Sequence, residues 1–262
     1  MSKNLKCMIC NSGMAFSFYK EFNCLDLEKI DYYTCTNCGF TLSKQHLEMS
    51  KEQWAELNSK YHSYHKTNKT TDDINWIPRL TSQSKMLTEL YNIIPHNKPW
   101  IDYGCGDGKL SVMLNKNNIK INCFDIVPCS KDIEYLKSED LKDKGFDLVV
   151  TTSVFEHFRS YDELNAVEKL VSDTGAMAIH TLISNKIPKD PGWFYLLPVH
   201  CALYTNKSMK ILFDRWGYKF SLYCCEARMW VMFKQPQKYI QNILDTFAYK
   251  YDYKYDFVDY WK

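Results

Sequence analysis

The 262-residue chain has no apolar run long enough to cross a bilayer as a helix, and Met1 to Cys7 lack the apolar core of a secretion signal. Those two absences predict a soluble cytoplasmic protein with no membrane partner. An excess of one charge is missing as well, since the formal net charge is +2. In the first sixty residues Lys3, Lys6, Lys20, Lys29, Lys44, Lys51 and Lys60 are matched by Glu21, Asp26, Glu28, Asp31, Glu48, Glu52 and Glu56. Nucleic-acid binders concentrate their basic residues on one segment. No such arm exists here, so nucleic acid is not an expected partner. Apolar residues make up 45% of the chain, ample for a core, and the length suits one large domain plus a small one.

Cysteine, by contrast, is plentiful, with eleven in the chain. Four of them form two C-x-x-C knuckles, Cys7-Met8-Ile9-Cys10 and Cys35-Thr36-Asn37-Cys38, the second followed by Gly39. In a chain without a secretion signal this spacing points to a metal rather than to disulfides, and four thiolates make a closed tetrahedral zinc site. With no open coordination position, the expected zinc is structural and replaces a core that a small module cannot build. Cys24 lies outside both knuckles. Cys105, Cys123, Cys129, Cys201, Cys224 and Cys225 show no such pairing and read as incidental or buried thiols.

The densest signal is Trp100 to Gly108. A short apolar strand ends in Asp102 and runs into Gly104, Cys105, Gly106, Asp107 and Gly108, after which Lys109 to Leu114 reads as an amphipathic helix. Glycines let the backbone turn where side chains forbid it and approach a ligand closely. A second strand, Ile119 to Ile126, closes on Asp125-Ile126, where a carboxylate can accept hydrogen bonds from a ribose diol. Only twenty residues separate Asp125 from Phe146, so the next crossover must be abbreviated: a turn after Pro128, a short strand at Ile133 to Leu136, and a loop with Glu139 and Asp140. Phe146 to Val150 then reads as a buried parallel strand leading into Thr151, Thr152, Ser153, Val154, Phe155, Glu156 and His157. A helix from Tyr161 to Val171, a turn at Asp173-Thr174-Gly175 and a strand from Ala176 to Ile183 follow.

Before the glycine loop, Ser43 to Lys66 has helical, aromatic periodicity with Ser50 as N-cap, Thr67 to Asp73 reads as a polar linker, and Pro78 to Tyr91 as a helix. The expected segments are a zinc-binding module over 1–45, a helical connector or lid over 46–96, a core over 97–234 and an aromatic tail over 235–262. Within the core lies a substrate-facing insertion over 185–205. The tail alternates Tyr249, Tyr251, Tyr253, Tyr255 and Phe257 with charged residues, which suits an edge strand or a docked arm. The alternation of strands and helices predicts an α/β fold with a doubly wound, Rossmann-like parallel sheet.

With these motifs in this order, the chain resembles class I S-adenosylmethionine-dependent methyltransferases. It is most similar to the branch with an N-terminal zinc module, which includes deoxysugar methyltransferases and related enzymes of polysaccharide assembly. The resemblance implies that Asp102, Gly104, Gly106 and Gly108 hold the amino acid end of S-adenosylmethionine. Asp125, with Ile126, would hold the ribose side, and the Thr151 to Glu156 turn, with Thr152 and Ser153, would form the pocket floor. It also implies a C-terminal antiparallel hairpin, fitted here by Tyr218 to Cys225 and Arg228 to Phe233. The larger sugar C-methyltransferases continue into a further domain where this sequence stops, which turns the expectation from a carbon acceptor to a hydroxyl. Nicotinamide dehydrogenases carry G-x-G-x-x-G rather than the G-x-G-x-G found here.

Methyl transfer to a hydroxyl needs alignment, water exclusion and removal of a proton. His157 is a candidate general base, with Glu156 orienting it or touching substrate; the alternative is that the pair only shapes the cofactor pocket. His200, in the aromatic insertion with Trp193 and Tyr195, is the competing base, and Trp193 and Tyr195 are candidates to stack on a sugar or simply to pack. His46, His62, His65, His96 and His180 read as ordinary polar or packing residues. The expected partner is a small-molecule acceptor, sugar-related or phosphorylated, in surface polysaccharide biosynthesis, and the protein is expected as a monomer or homodimer. The alternatives are an RNA methyltransferase gripping its substrate with the zinc module, and a non-catalytic scaffold that binds zinc and S-adenosylmethionine.

Overall fold

A computed structural model describes residues 5–68, 75–141, 145–235 and 251–259. The N-terminal part runs β1 (Met14–Cys24), β2 (Leu27–Cys35), β3 (Thr41–Ser43), α1 (Lys44–Glu48), α2 (Lys51–Asn68) and α3 (Trp76–Glu89). Then come β4 (Trp100–Tyr103), α4 (Lys109–Asn115), β5 (Asn122–Phe124), β6 (Phe146–Thr152), α5 (Tyr161–Glu168) and β7 (Val171–His180). The chain continues through β8 (Ile183–Ser184), β9 (Ala202–Thr205), α6 (Asn206–Arg215), β10 (Phe220–Cys224), β11 (Met229–Phe233) and β12 (Asp252–Lys254).

The larger sheet has the order β12-β10-β11-β7-β6-β4-β5. The strands β5, β4, β6 and β7 are mutually parallel, while β11, β10 and β12 add antiparallel. Parallel strands are covered by helices on both faces, which is why Phe146 to Thr151 are all buried without alternation. From β4 the chain steps to β5 on one side and then to β6 on the other. The strand order therefore reverses at β4 and β6, and ligands of open α/β sheets bind at the carboxyl ends of such a switch point. The glycine loop follows β4 and the Glu156-His157 turn follows β6, so both motifs open onto one crevice.

A smaller sheet has the order β1-β2-β3-β9-β8. The N-terminal hairpin thus pairs through β3, Thr41 opposite Leu203, with the strand that closes the 185–205 segment. Phe18, Phe22, Ile30 and Tyr32 share a core with Leu57 and Tyr61 of α2 and with Leu196, Val199 and Leu203. The tail docks on the chain's own core: β12 is the edge strand beside β10, Phe257 and Val258 are buried, and the Trp230 indole donates to the Val258 carbonyl at 2.8 Å.

Several local expectations differ from the structure. Asp173-Thr174-Gly175 is not a turn but part of β7, which begins at Val171, the residue expected to end the preceding helix; that helix stops at Glu168. A Cβ at Gly175 would lie 2.9 Å from the Phe146 carbonyl oxygen, so glycine there serves strand–strand proximity at a register irregularity rather than chain reversal. The helical stretch expected over Ser43 to Lys66 is two helices divided at Met49, the second starting at the expected N-cap Ser50, whose hydroxyl accepts from the Gln53 N–H and whose own N–H donates to Gln53 Oε1. The crossover strand expected at Ile133 to Leu136 is reduced to one bridge between Cys123 and Tyr135, followed by a 3-10 turn over Ser138–Leu141. The polar linker lies outside the described residues from residue 69 onward, as do Tyr249 and Lys250. No helix among the described residues is long and apolar enough to cross a membrane.

Candidate active site

Gly104, Gly106 and Gly108 all have φ between +55° and +74°, the left-handed region that favours glycine. They do different things. A Cβ on Gly104 would meet Val154 Cγ2 at 2.6 Å and one on Gly108 would meet Ile133 at 2.7 Å, whereas a Cβ on Gly106 meets nothing within 4 Å. The first and third pack the loop against its neighbours, and the second borders open space. Asp125 latches the loop: its carboxylate accepts from the Gly106 N–H and from the Val127 N–H, each at 2.8 Å. The Tyr135 hydroxyl donates to the Gly106 carbonyl at 2.7 Å. Beside this carboxylate Ile126 is 77% exposed, an uncovered apolar side chain at the mouth of the crevice.

Beneath the loop, Asp102 is fully buried, and its Oδ1 has no hydrogen-bond partner among the described residues. Burial pushes its carboxyl well above the usual carboxylate range, and Cys123 and Asp125 add to the shift. A buried carboxyl with an orphaned oxygen is costly unless a donor or cation is supplied.

Across the crevice β6 ends at Thr152, and Ser153, at φ 57°, turns the chain into a 3-10 turn over Phe155–His157. The Ser153 N–H donates to the His180 carbonyl, which ties this turn to the end of β7. Val154, the residue Gly104 makes room for, joins the glycine loop directly to this turn. Glu156 is 1% exposed, and its Oε2 accepts a 2.9 Å bond from the Thr181 hydroxyl. The Thr181 proton being committed, the Tyr195 hydroxyl donates to Thr181 at 3.2 Å while accepting from the Leu182 N–H at 3.1 Å. His200 Nε2 lies 4.0 Å from Glu156 Oε1. Its Nδ1 is 2.9 Å from the Tyr195 carbonyl, so that nitrogen carries the proton. His157 stands edge-on to His200 with ring centres 5.3 Å apart. Its Nδ1 is 3.1 Å from Asn58 Oδ1, and Asn58 is oriented by its own amide donating to the Trp54 carbonyl at 2.7 Å. Burial and the facing His200 hold the His157 imidazole down at about 3, so it is neutral at physiological pH.

One family model, described as a methyltransferase domain, matches residues 79–221, more than half of the chain. The chain belongs to that family. Among solved structures, the Burkholderia thailandensis 1,6-didemethyltoxoflavin-N1-methyltransferase is similar at 11% identity, covering 81% of this chain and 97% of that one with a TM-score of 0.51. A SAM-dependent methyltransferase from Archaeoglobus fulgidus is similar at 16% identity over 63% of this chain and 77% of that one, with a TM-score of 0.45. No curated protein matches. The sheet order and the antiparallel C-terminal hairpin are those of a class I methyltransferase, and the protein is an S-adenosylmethionine-dependent enzyme.

The methyltransferase crevice fits its cofactor on three counts: the open space beside Gly106, the orphaned Asp102 oxygen, and the bare Ile126 surface next to Asp125. Both Asp125 oxygens already hold a backbone N–H but keep further lone-pair directions for hydroxyls. The structure brings Glu156, His157, His200 and Tyr195 together, while Trp193 stands behind Tyr195 with ring centres 5.7 Å apart. Sequence reasoning passed over Trp54, Asn58 and His62, which face His157 from α2, and Thr181, which holds Glu156. The spacing of 54, 58 and 62 is a helical i, i+4, i+8 row, a signal that was present in the sequence.

The four cysteines of the two knuckles converge, in the same core as Phe155 of the site. Cys7 and Cys38 sulfurs are 3.7 Å apart, Cys10 and Cys35 3.4 Å, and Cys10 and Cys38 3.6 Å. Tetrahedral zinc with Zn–S of about 2.3 Å sets sulfurs about 3.8 Å apart, so the cluster fits such an ion with minimal adjustment. Backbone N–H groups of Ile9, Asn37 and Cys38 already point at the sulfurs at 3.4 Å. Thr205, the N-cap of α6, donates to the Cys38 carbonyl, which welds the knuckle to the core.

Proposed function

We propose that this methyltransferase alkylates a hydroxyl of a small molecule, of the class of sugars, sugar nucleotides or related phosphorylated precursors used in surface polysaccharide assembly. The observation that carries the reading is the buried Glu156-His157-His200 group, one contact away from the glycine loop and walled by Trp54, Tyr195 and α2. Its two imidazoles suit a hydroxyl, which must lose a proton as the new bond forms. S-adenosylmethionine supplies an electrophilic sulfonium methyl when bound. The residues do the rest: Asp102, the loop and Asp125 hold the amino acid and ribose ends, Ile126 covers the base, and Thr152 and Ser153 form the floor. Glu156 and the two histidines orient the acceptor oxygen, and His157 or His200, neutral at its Nε2, takes its proton. The exposed Phe194 and the half-buried Trp193 border the approach and supply apolar faces for an acceptor ring. The solved neighbour named for a toxoflavin precursor supports a compact acceptor, while the sugar class rests on the resemblance of the whole motif set. Zn2+ at Cys7, Cys10, Cys35 and Cys38 has a structural role in this reading. The balanced charge of the N-terminal module disfavours RNA.

A screen of nucleotide sugars and phosphorylated sugars with labelled methyl donor tests the acceptor. Label on a hydroxyl of one of them is the expected result. Turnover confined to aromatic amines or heterocycles would remove the sugar reading and leave methyl transfer intact.

A further inference from the structure

We propose that Glu156, His157 and His200 form a second metal centre, separate from the four-cysteine cluster, that holds a first-row divalent transition metal and offers its open positions to an oxygen of the acceptor. One ligand atom from each of the three residues lies within 4.8 Å of the other two. Bonds of about 2.1 Å at a tetrahedral angle set two ligand atoms about 3.4 Å apart, so the 4.0 Å between His200 Nε2 and Glu156 Oε1 must close by about 0.6 Å for one ion to bridge them. The widest pair, within 4.8 Å, must close by up to about 1.4 Å, a side-chain rotation at each ligand.

The surroundings are those of a supported metal site. His200 commits its Nδ1 proton to the Tyr195 carbonyl and His157 commits its own to Asn58, whose amide is fixed by Trp54. Both Nε2 atoms are thereby left as lone-pair donors in defined orientations, the arrangement that second-shell partners impose on ligating imidazoles. Glu156 is held through Oε2 by the Thr181–Tyr195 hydroxyl chain, which leaves Oε1 toward His200. Two imidazoles and one carboxylate select zinc, iron, manganese or cobalt over magnesium and calcium, and three protein ligands leave positions open for an exogenous oxygen. The metal-binding claim stands on this geometry alone, and the destination of the open positions rests on the methyl-transfer reading; with both Nε2 atoms on the ion neither imidazole is then the base, and the ion would instead acidify the acceptor hydroxyl it holds.

The test is metal content of the full chain after separate incubation with Zn2+, Co2+, Mn2+ and Fe2+ and removal of unbound ion. Two equivalents of Zn2+ or Co2+ are expected, one lost in E156Q/H200A. With Co2+, the first equivalent should show the thiolate charge-transfer bands of the cysteine site and the second only weak bands of nitrogen and oxygen ligation. Persistence of the thiolate bands in the variant shows that it is folded. One equivalent in the wild-type protein with all four ions, or a second equivalent unaffected in the folded variant, overturns the proposal. Binding of S-adenosylhomocysteine, measured on the same samples, reports separately on methyl transfer: if it persists while the second equivalent is absent, only the metal site is lost.

Discussion

Gly104 and Gly106 are two residues apart and share positive φ values of 74° and 55°, yet alanine at each should fail for a different reason. At either position alanine must adopt the left-handed region, at about 1–2 kcal/mol. At Gly104 the new methyl also stands 2.6 Å from Val154 Cγ2. Relieving that overlap costs about 1–3 kcal/mol more, for a total of about 2–5 kcal/mol. At Gly106 nothing lies within 4 Å, so stability should fall by no more than the backbone cost. In the proposed reading the cofactor approaches the loop through this open space, so G106A should lose at least tenfold in affinity for S-adenosylhomocysteine, about 1.4 kcal/mol. Urea unfolding gives the stabilities and titration calorimetry the affinities. Removing the Val154 methyl groups in V154A should return the steric part of the G104A loss but nothing of the G106A loss, a coupling visible in a double-mutant cycle. Equal destabilisation by the two alanines, or zero coupling between positions 104 and 154, would refute this division of roles.

Four other outcomes are expected. His46 is fully buried with its Nδ1 against the Ser43 hydroxyl, and burial, with Arg159 and His200 nearby, holds its imidazole down at about 4, below the ordinary histidine value of about 6.5. The unfolded chain therefore binds the proton more tightly, so this contribution is present above pH 6.5 and fades as pH falls toward 4. The loss should be about 2 kcal/mol between pH 7 and 5, and urea unfolding of H46N should show a flatter pH dependence than the wild type. Replacing Cys38 by serine should release one equivalent of metal and lower the melting temperature, because the Thr205 cap on the Cys38 carbonyl ties the cluster to α6; an unchanged melting curve would contradict a structural zinc. Tyr195→Phe removes the hydroxyl that supports Thr181 and Glu156, and kcat should fall by about tenfold with unchanged binding of S-adenosylhomocysteine. Alanine at His157 and at His200, made separately, should each lower turnover without weakening cofactor binding; full activity in both would dispose of the base assignments.

The parts of the molecule legible in the sequence are those written in local patterns. Both cysteine knuckles, the glycine loop, the buried run of β6, the hairpin of β10 and β11 and the edge strand at β12 are each specified within about ten residues, by spacing or periodicity. What escaped is what long-range pairing creates. Nothing local in Thr41 or Leu203 announces that they sit opposite each other, so the union of the N-terminal hairpin with the strand closing the aromatic segment was not legible. That union brings Tyr195 and His200 onto Glu156, and packing of α2 beneath it brings Asn58 to His157. Gly175 was misread because a glycine after Asp173 and Thr174 carries the composition of a turn, and only the position of the Phe146 carbonyl shows that it lets two strands approach.

In the proposed reading the crevice at the carboxyl ends of β4 and β6 binds the methyl donor. Titration calorimetry of the purified chain with S-adenosylhomocysteine tests it directly, with D102N and G106A alongside. Saturable one-to-one binding by the wild type, weakened in both variants, is the expected outcome. No heat and no saturation with the folded wild-type protein would contradict it.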